Sequence, residues 1–277
     1  MRKSIRCILI LLSVFLMNIT TSNAADAAWQ GQVAQELTLF RADRAVSDGP
    51  FAIDLTCVPK GLIAVSCRSE KKLHVLVNYL DSESNYTIPN DGTPYVIPLP
   101  YGNGVYTVSI WEYYNEDGYA KKYETNINAV LDDPLSPFSY ANGRVPYKEN
   151  DTCVKLAHKI AKKAAGIEMF AYGVKEWTEK NVVYDTSYVP GKLSTHQIDP
   201  DETIRSGKGI CLDYASLMTA MLRSQGVPAR LAFGYVTHEG VQEYHAWTDA
   251  WIDGAWVTLD PLMPEEIHPV YEPTQYF

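Results

Sequence analysis

The chain has 277 residues, 46% of them hydrophobic, and a formal net charge of −9 at pH 7. That length suffices for two modest domains, each burying its own core. An acidic balance of this size argues against nucleic acid or an anionic lipid surface as the main partner.

At the N-terminus Arg2, Lys3 and Arg6 precede an apolar run from Cys7 to Met17, and small residues follow at Ser22-Asn23-Ala24-Ala25. The run is short for a bilayer span, so the pattern reads as a signal peptide over 1–24. The mature chain is then expected to be secreted or cell-surface, with no membrane span left. Residues 1–24 carry three basic and no acidic groups, so their removal leaves a charge of −12.

Cys57, Cys67, Cys153 and Cys211 remain, and an exported chain is free to form disulfides. However, Val58-Pro59-Lys60-Gly61 reads as a tight turn, and the hairpin it implies sets Cys57 opposite Leu62 rather than Cys67. No cysteine–histidine spacing suits zinc and no acidic run has calcium-loop spacing, so no cofactor or metal is expected.

Residues 25–49 read as a spacer, with Trp29, Val33, Leu37 and Phe40 at helical spacing. Over 50–131 the texture is β. Leu62–Cys67, Leu73–Tyr79, Val105–Tyr113 and Tyr119–Val130 are rich in β-branched and aromatic residues, and glycine-containing turns separate them. Val105, Thr107, Ser109 and Trp111 alternate with Tyr106, Val108 and Ile110, as in a half-buried strand. The spacing predicts a small β-sandwich of the immunoglobulin kind. Its many tyrosines are ordinary strand residues on this reading.

Pro134, Pro137, Gly143 and Pro146 mark 132–149 as an interdomain linker. The remaining 150–277 read as a second domain of helices and antiparallel strands. A helix capped by Asn150 or Asp151 runs through Val154, Leu156 and Ile160 to Gly166, and another covers about 168–180. Residues 186–206 read as a polar loop walling a cleft, with His196 solvated within it.

Cys211 follows Gly207 and Gly209 and begins a run of helix formers. Cys211, Ala215, Met218 and Leu222 share one helical face, and Gly226 and Pro228 end the run. The thiol is thus expected in the first turn of a buried helix, where free N–H groups favour a thiolate and can receive an oxyanion.

Asp253-Gly254 predicts a hairpin turn, which pairs 252 with 255, 251 with 256 and 247 with 260. That register puts His245, Trp247 and Trp251 on one face with Trp256, Thr258 and Asp260. Asp260 is then diagonal to His245 and within reach of its imidazole. A catalytic set of Cys211, His245 and Asp260 follows as nucleophile, base and orienter.

Gly209-Ile210-Cys211-Leu212-Asp213-Tyr214-Ala215, Arg223-Ser224-Gln225-Gly226-Val227-Pro228, His245-Ala246-Trp247, Asp260-Pro261 and Tyr184-Asp185 together resemble the transglutaminase-like superfamily of papain-fold thiol enzymes. The resemblance covers about 150–265. It implies an α+β chain, a transglutaminase-like domain preceded by the β-sandwich, with the same three residues in the same roles. It also implies an upstream side-chain donor to the oxyanion, for which Trp177, Tyr184 and Gln197 are candidates. The expected activity is on amide bonds of a peptide or protein, such as a cell-wall or surface protein, through an acyl-enzyme resolved by water or an amine. The alternatives are a non-catalytic surface or wall-associated binding protein that keeps the fold, and a β-sandwich adhesin.

Overall fold

The computed structural model describes residues 40–116, 118–188, 196–263 and 265–277. The expected signal peptide and most of the expected 25–49 spacer lie outside the described residues. Among the described residues no helix is long and apolar enough to cross a membrane.

The first half is a sandwich of two four-stranded antiparallel sheets. One contains β1 (Ala45–Asp48), β2 (Phe51–Asp54), β3 (Leu62–Cys67) and β6 (Tyr95–Pro98), in the order β1-β2-β3-β6. The other contains β4 (Leu73–Tyr79), β5 (Ser82–Ile88), β7 (Gly104–Asn115) and β8 (Gly118–Ala129), in the order β5-β4-β7-β8. Alternation buries one face of each strand: Leu73, Val75 and Val77 on β4, and Tyr106, Val108 and Ile110 on β7. They meet Ile53, Ile63, Val65 and Ile97 from the facing sheet in one core. Each such aliphatic side chain contributes about 2 kcal/mol by leaving water. The Tyr106 hydroxyl accepts from Tyr101 N–H at 2.9 Å and donates to Gly102 O at 3.0 Å, tying the start of β7 to the preceding corner. That corner tyrosine and the strand order make the sandwich immunoglobulin-like. Cys57 and Cys67 are both free thiols.

Residues 132–149 are not an extended tether. Phe138, Asn142 and Val145 are buried, and Gly143 N–H donates to Val96 O at 2.9 Å. Proline and glycine here shape a packed bridge, whose Arg144 carbonyl accepts from Ser216 Oγ at 3.0 Å.

The second half holds α1 (Thr152–Ala161), α2 (Ile167–Asn181), α3 (Pro200–Ser206) and α4 (Cys211–Ser224). A sheet ordered β13-β12-β11-β14 is built from β11 (Ala229–His238), β12 (Val241–Ile252), β13 (Ala255–Leu259) and β14 (Val270–Tyr276). Every residue of α4 from Leu212 to Ser224 is buried. One side lies on the sheet, where Thr248 Oγ1 donates to Ala215 O at 3.0 Å. Its other side packs Leu217 and Met221 among Val154, Ala157, Phe170 and Val174 of α1 and α2. Fully buried Arg223 uses its guanidinium to bind the carbonyls of Ala229, Tyr140 and Phe277. Burial lowers its pKa to about 10.

The polar loop expected over 186–206 is helical from Pro200 onward. Asp199 caps α3 through the N–H groups of Asp201 and Glu202, Pro200 takes the first helical position, and Gly207 ends it at φ 63°. Those are ordinary start and stop signals on a run too short to show periodicity. The short helix matters because Asp201 Oδ2 and Oδ1 accept from Thr152 and Cys153 N–H at 2.7 and 2.8 Å. Asp201 therefore caps α1 from a distance, while Asp151 makes no side-chain cap bond.

Candidate active site

Cys211 is the first residue of α4, so its N–H and that of Leu212 point out of the helix with no partner in a preceding turn. The approach to it is held twice. β9 (Val183–Tyr184) pairs in parallel with β10 (Lys208–Gly209), which sets Tyr184 beside Gly209. Asp213 then folds back so that its Oδ2 accepts from Ile210 N–H at 2.9 Å. A Cβ on Gly209 would lie 2.7 Å from Asp213 Cβ, so glycine is what lets that carboxylate close over the turn.

His245 and Asp260 come from the predicted hairpin. Ile252 faces Ala255 and Trp251 faces Trp256, the register expected from the sequence. The last pair is Thr248 with Leu259, so beyond Thr248 that edge of β12 has no strand beside it. The opening lets a thiol from the helix face of the sheet reach an imidazole that starts on the other face. His245 Nε2 lies 2.8 Å from Asp260 Oδ2, with both residues 5% exposed. Asp260 also accepts from Leu262 N–H at 2.9 Å and from the Tyr271 hydroxyl at 3.1 Å. The Trp247 ring stacks against His245 at 6.4 Å and meets Tyr271 at 4.9 Å.

The Cys211 side chain lies close enough to His245 to act on its imidazole. With Nε2 on Asp260, it is Nδ1 that is left for the sulfur. Burial by itself disfavours imidazolium, but the bond to Asp260 and the nearby Cys211 outweigh it and push the pKa of His245 up to about 9. The arrangement therefore favours the protonated imidazole.

Gly234 stands opposite His245 on β11, at a bulge in the pairing with β14. A Cβ there would lie 2.1 Å from Glu272 O. Its absence lets β14 come close enough to deliver Tyr271 to Asp260.

Of the three upstream donor candidates, Trp177 packs into the helical core and Gln197 is exposed. Tyr184 is beside the thiol. Its pKa is raised, by burial and by the nearby Cys211 and Glu243, and a hydrogen bond from the Cys211 N–H opposes the rise. The phenol thus lies near the head of α4.

His196 is not solvated as expected. Its Nε2 is 2.7 Å from Asp213 Oδ1, and the Tyr188 ring meets it edge-on at 5.3 Å. The sequence hid this contact because it joins a loop to the third residue of a helix. Tyr271, the other missed neighbour, lies on a C-terminal strand whose pairing is long-range. Among the described residues no group of three or more histidine, cysteine and acidic side chains is placed to hold a metal ion.

Residues 154–261, which span the thiol, the imidazole and the carboxylate, match the family model of the transglutaminase-like superfamily. This chain carries a transglutaminase-like domain. An uncharacterized protein of Mycobacterium leprae is 35% identical over 94 residues, which cover 30% of this chain and 32% of that protein. A UPF0252 protein of Archaeoglobus fulgidus is 30% identical over 148 residues, covering 47% of this chain and 45% of that one. The chain spans less than half the length of these curated relatives. Among solved structures, a candidate cysteine protease from Cytophaga hutchinsonii aligns with TM-score 0.45 and 20% identity over 76% of this chain and 73% of that one. The periplasmic domain of TgpA from Pseudomonas aeruginosa aligns with TM-score 0.37 and 16% identity over 84% and 78% of the two chains. The transglutaminase-like domain here is an α+β unit, helices on an antiparallel sheet, joined to the immunoglobulin-like sandwich.

Proposed function

We propose that the protein is an exported thiol enzyme that acts on amide bonds of peptides or proteins, with Cys211 as nucleophile, His245 as acid and base, and Asp260 as orienter. The observation that carries this reading is that one buried imidazole bonds a carboxylate at 2.8 Å and lies within reach of the thiol at the head of a buried helix. A binding module has no need to keep that chain of three intact.

In the proposed reaction the Cys211 sulfur attacks the carbonyl carbon, and the carbonyl π electrons move to oxygen. The resulting oxyanion accepts from the first N–H groups of α4 and from the Tyr184 hydroxyl, which is why Tyr184 is the donor of choice. Collapse breaks the C–N bond, the imidazolium gives its proton to the leaving amine, and a thioester remains on Cys211. Water or a second amine, deprotonated by His245, attacks the thioester and releases the sulfur. Asp260 holds the imidazole in register and stabilises its charged form throughout.

Mass spectrometry of a peptide library incubated with the protein and a primary amine tests the reading. Cleavage, deamidation or amine addition that disappears in Cys211→Ala is the expected result. Undiminished turnover by Cys211→Ala would remove the sulfur from the mechanism.

A further inference from the structure

Two elements frame the proposed oxyanion receptor: the head of α4, with its first N–H groups, and β9, with Tyr184. β9 and β10 are two residues each, and they pair Val183 with Lys208 and Tyr184 with Gly209. A ladder that short is weak alone, and parallel pairing is the less stable kind per residue. Asp185 N–H extends it by one bond, to Gly209 O at 2.9 Å.

His196 adds a second tie. Its Nε2 lies 2.7 Å from Asp213 Oδ1, while Asp213 Oδ2 takes the Ile210 N–H at 2.9 Å. A carboxylate only accepts, so Nε2 is the donor. One oxygen of Asp213 thus holds the backbone just before Cys211, and the other is aimed by the imidazole. The same imidazole meets the Tyr188 ring edge-on at 5.3 Å, and Tyr188 N–H donates to Asp185 O at 3.3 Å, next to Tyr184. Tyr188, Ile198 and Cys211 pack against one core. Burial, then Asp213 and Cys211, raise the pKa of Tyr188, so its phenol shares their neighbourhood. With no donor on Oδ1 the carboxylate is free to turn about its Cβ–Cγ bond, and Ile210 N–H loses a fixed acceptor. The next two N–H groups follow the turn, and a hydrogen bond weakens steeply as it bends.

We propose that His196 is a positioning residue for acylation: through Asp213 and Tyr188 it holds the α4 N–H groups and Tyr184 together as one receptor for the oxyanion. This rests on Cys211 being the nucleophile, and it adds a residue to that reading.

Two reactions at the same sulfur test it. With 4-nitrophenyl acetate the sulfur attacks the carbonyl carbon, a C–S bond forms through a tetrahedral oxyanion, and the C–O bond breaks to release 4-nitrophenolate. With iodoacetamide the sulfur displaces iodide from the methylene carbon and no oxyanion forms. The nitrophenolate burst, corrected with Cys211→Ala, gives the first rate, and mass spectrometry of the Cys211 peptide gives the second. Their ratio reads the receptor and cancels the reactivity of the thiol. The His196 side chain is 21% exposed, so substitution there leaves the core intact. His196→Ala should lower the ratio by about tenfold. His196→Gln puts an amide N–H where Nε2 stood and should restore most of it, whereas His196→Asn is one methylene too short and should not. An unchanged ratio in His196→Ala, two rates that fall together, or equal ratios in the Gln and Asn variants overturns the role. A wild type with no burst above that of Cys211→Ala would instead remove the nucleophile, and this role with it.

Discussion

Asp260 Oδ2 takes two donors at once, His245 at 2.8 Å and the Tyr271 hydroxyl at 3.1 Å. The residue comes one position after β13 ends, so the hairpin aims it and β14 fixes it. Asp260→Asn keeps the shape but removes the charge that favours imidazolium. We expect amide turnover to fall by about 10³-fold or more. Circular dichroism should be unchanged, and steady-state kinetics measures the loss.

Tyr271→Phe removes one donor from Asp260 and leaves the ring that packs on Trp247. The carboxylate becomes freer to turn, and turnover should fall by about tenfold, far less than in Asp260→Asn. Equal losses in the two variants would show that Tyr271 does more than hold Asp260.

Tyr184→Phe leaves the β9–β10 pairing and deletes the proposed oxyanion donor. Because this donor acts on the transition state, kcat should fall by about 10²-fold with KM little changed. A rise in KM alone would place Tyr184 in substrate binding instead.

The proton on His245 also carries a stability signature. Its folded pKa of about 9 lies above the ordinary value. Its contribution is therefore fully present below about pH 6.5 and is lost as pH rises through about 9. Cys211→Ala removes the sulfur's share of the raised pKa and leaves that of Asp260. In that variant urea midpoints should decline as pH rises from about 6.5, and adding Asp260→Asn should flatten the decline.

Asp201 caps α1 from α3, and its backbone donors lower its pKa although burial pushes the other way. Asp201→Ala should cost about 1 kcal/mol of stability, as loss of a helix cap does. In the native chain the stabilisation is present above the ordinary aspartate range and lost as pH falls through the depressed value. Urea denaturation at neutral and acid pH checks both statements.

Local patterns carried much of this site. The Asp253-Gly254 turn set the β12–β13 register, and the register brought His245 and Asp260 together. The helix of Cys211 was legible from its apolar face and its stops. Tertiary contacts were not legible. β5 is a polar strand with only Ser84, Tyr86 and Ile88 facing inward, too weak a pattern against its surroundings. His196 and Tyr271 reach the site from a loop and a distant strand, and no short-range period links them to it.

The most direct test of the central claim is the rate of iodoacetamide alkylation at Cys211 as a function of pH, in the wild type and in His245→Ala. The account predicts fast alkylation of the wild type well below the ordinary thiol pKa of about 8.5, and a His245→Ala profile shifted to at least that value. Superimposable profiles in the two proteins would contradict it, since the imidazole would then have no hold on the sulfur.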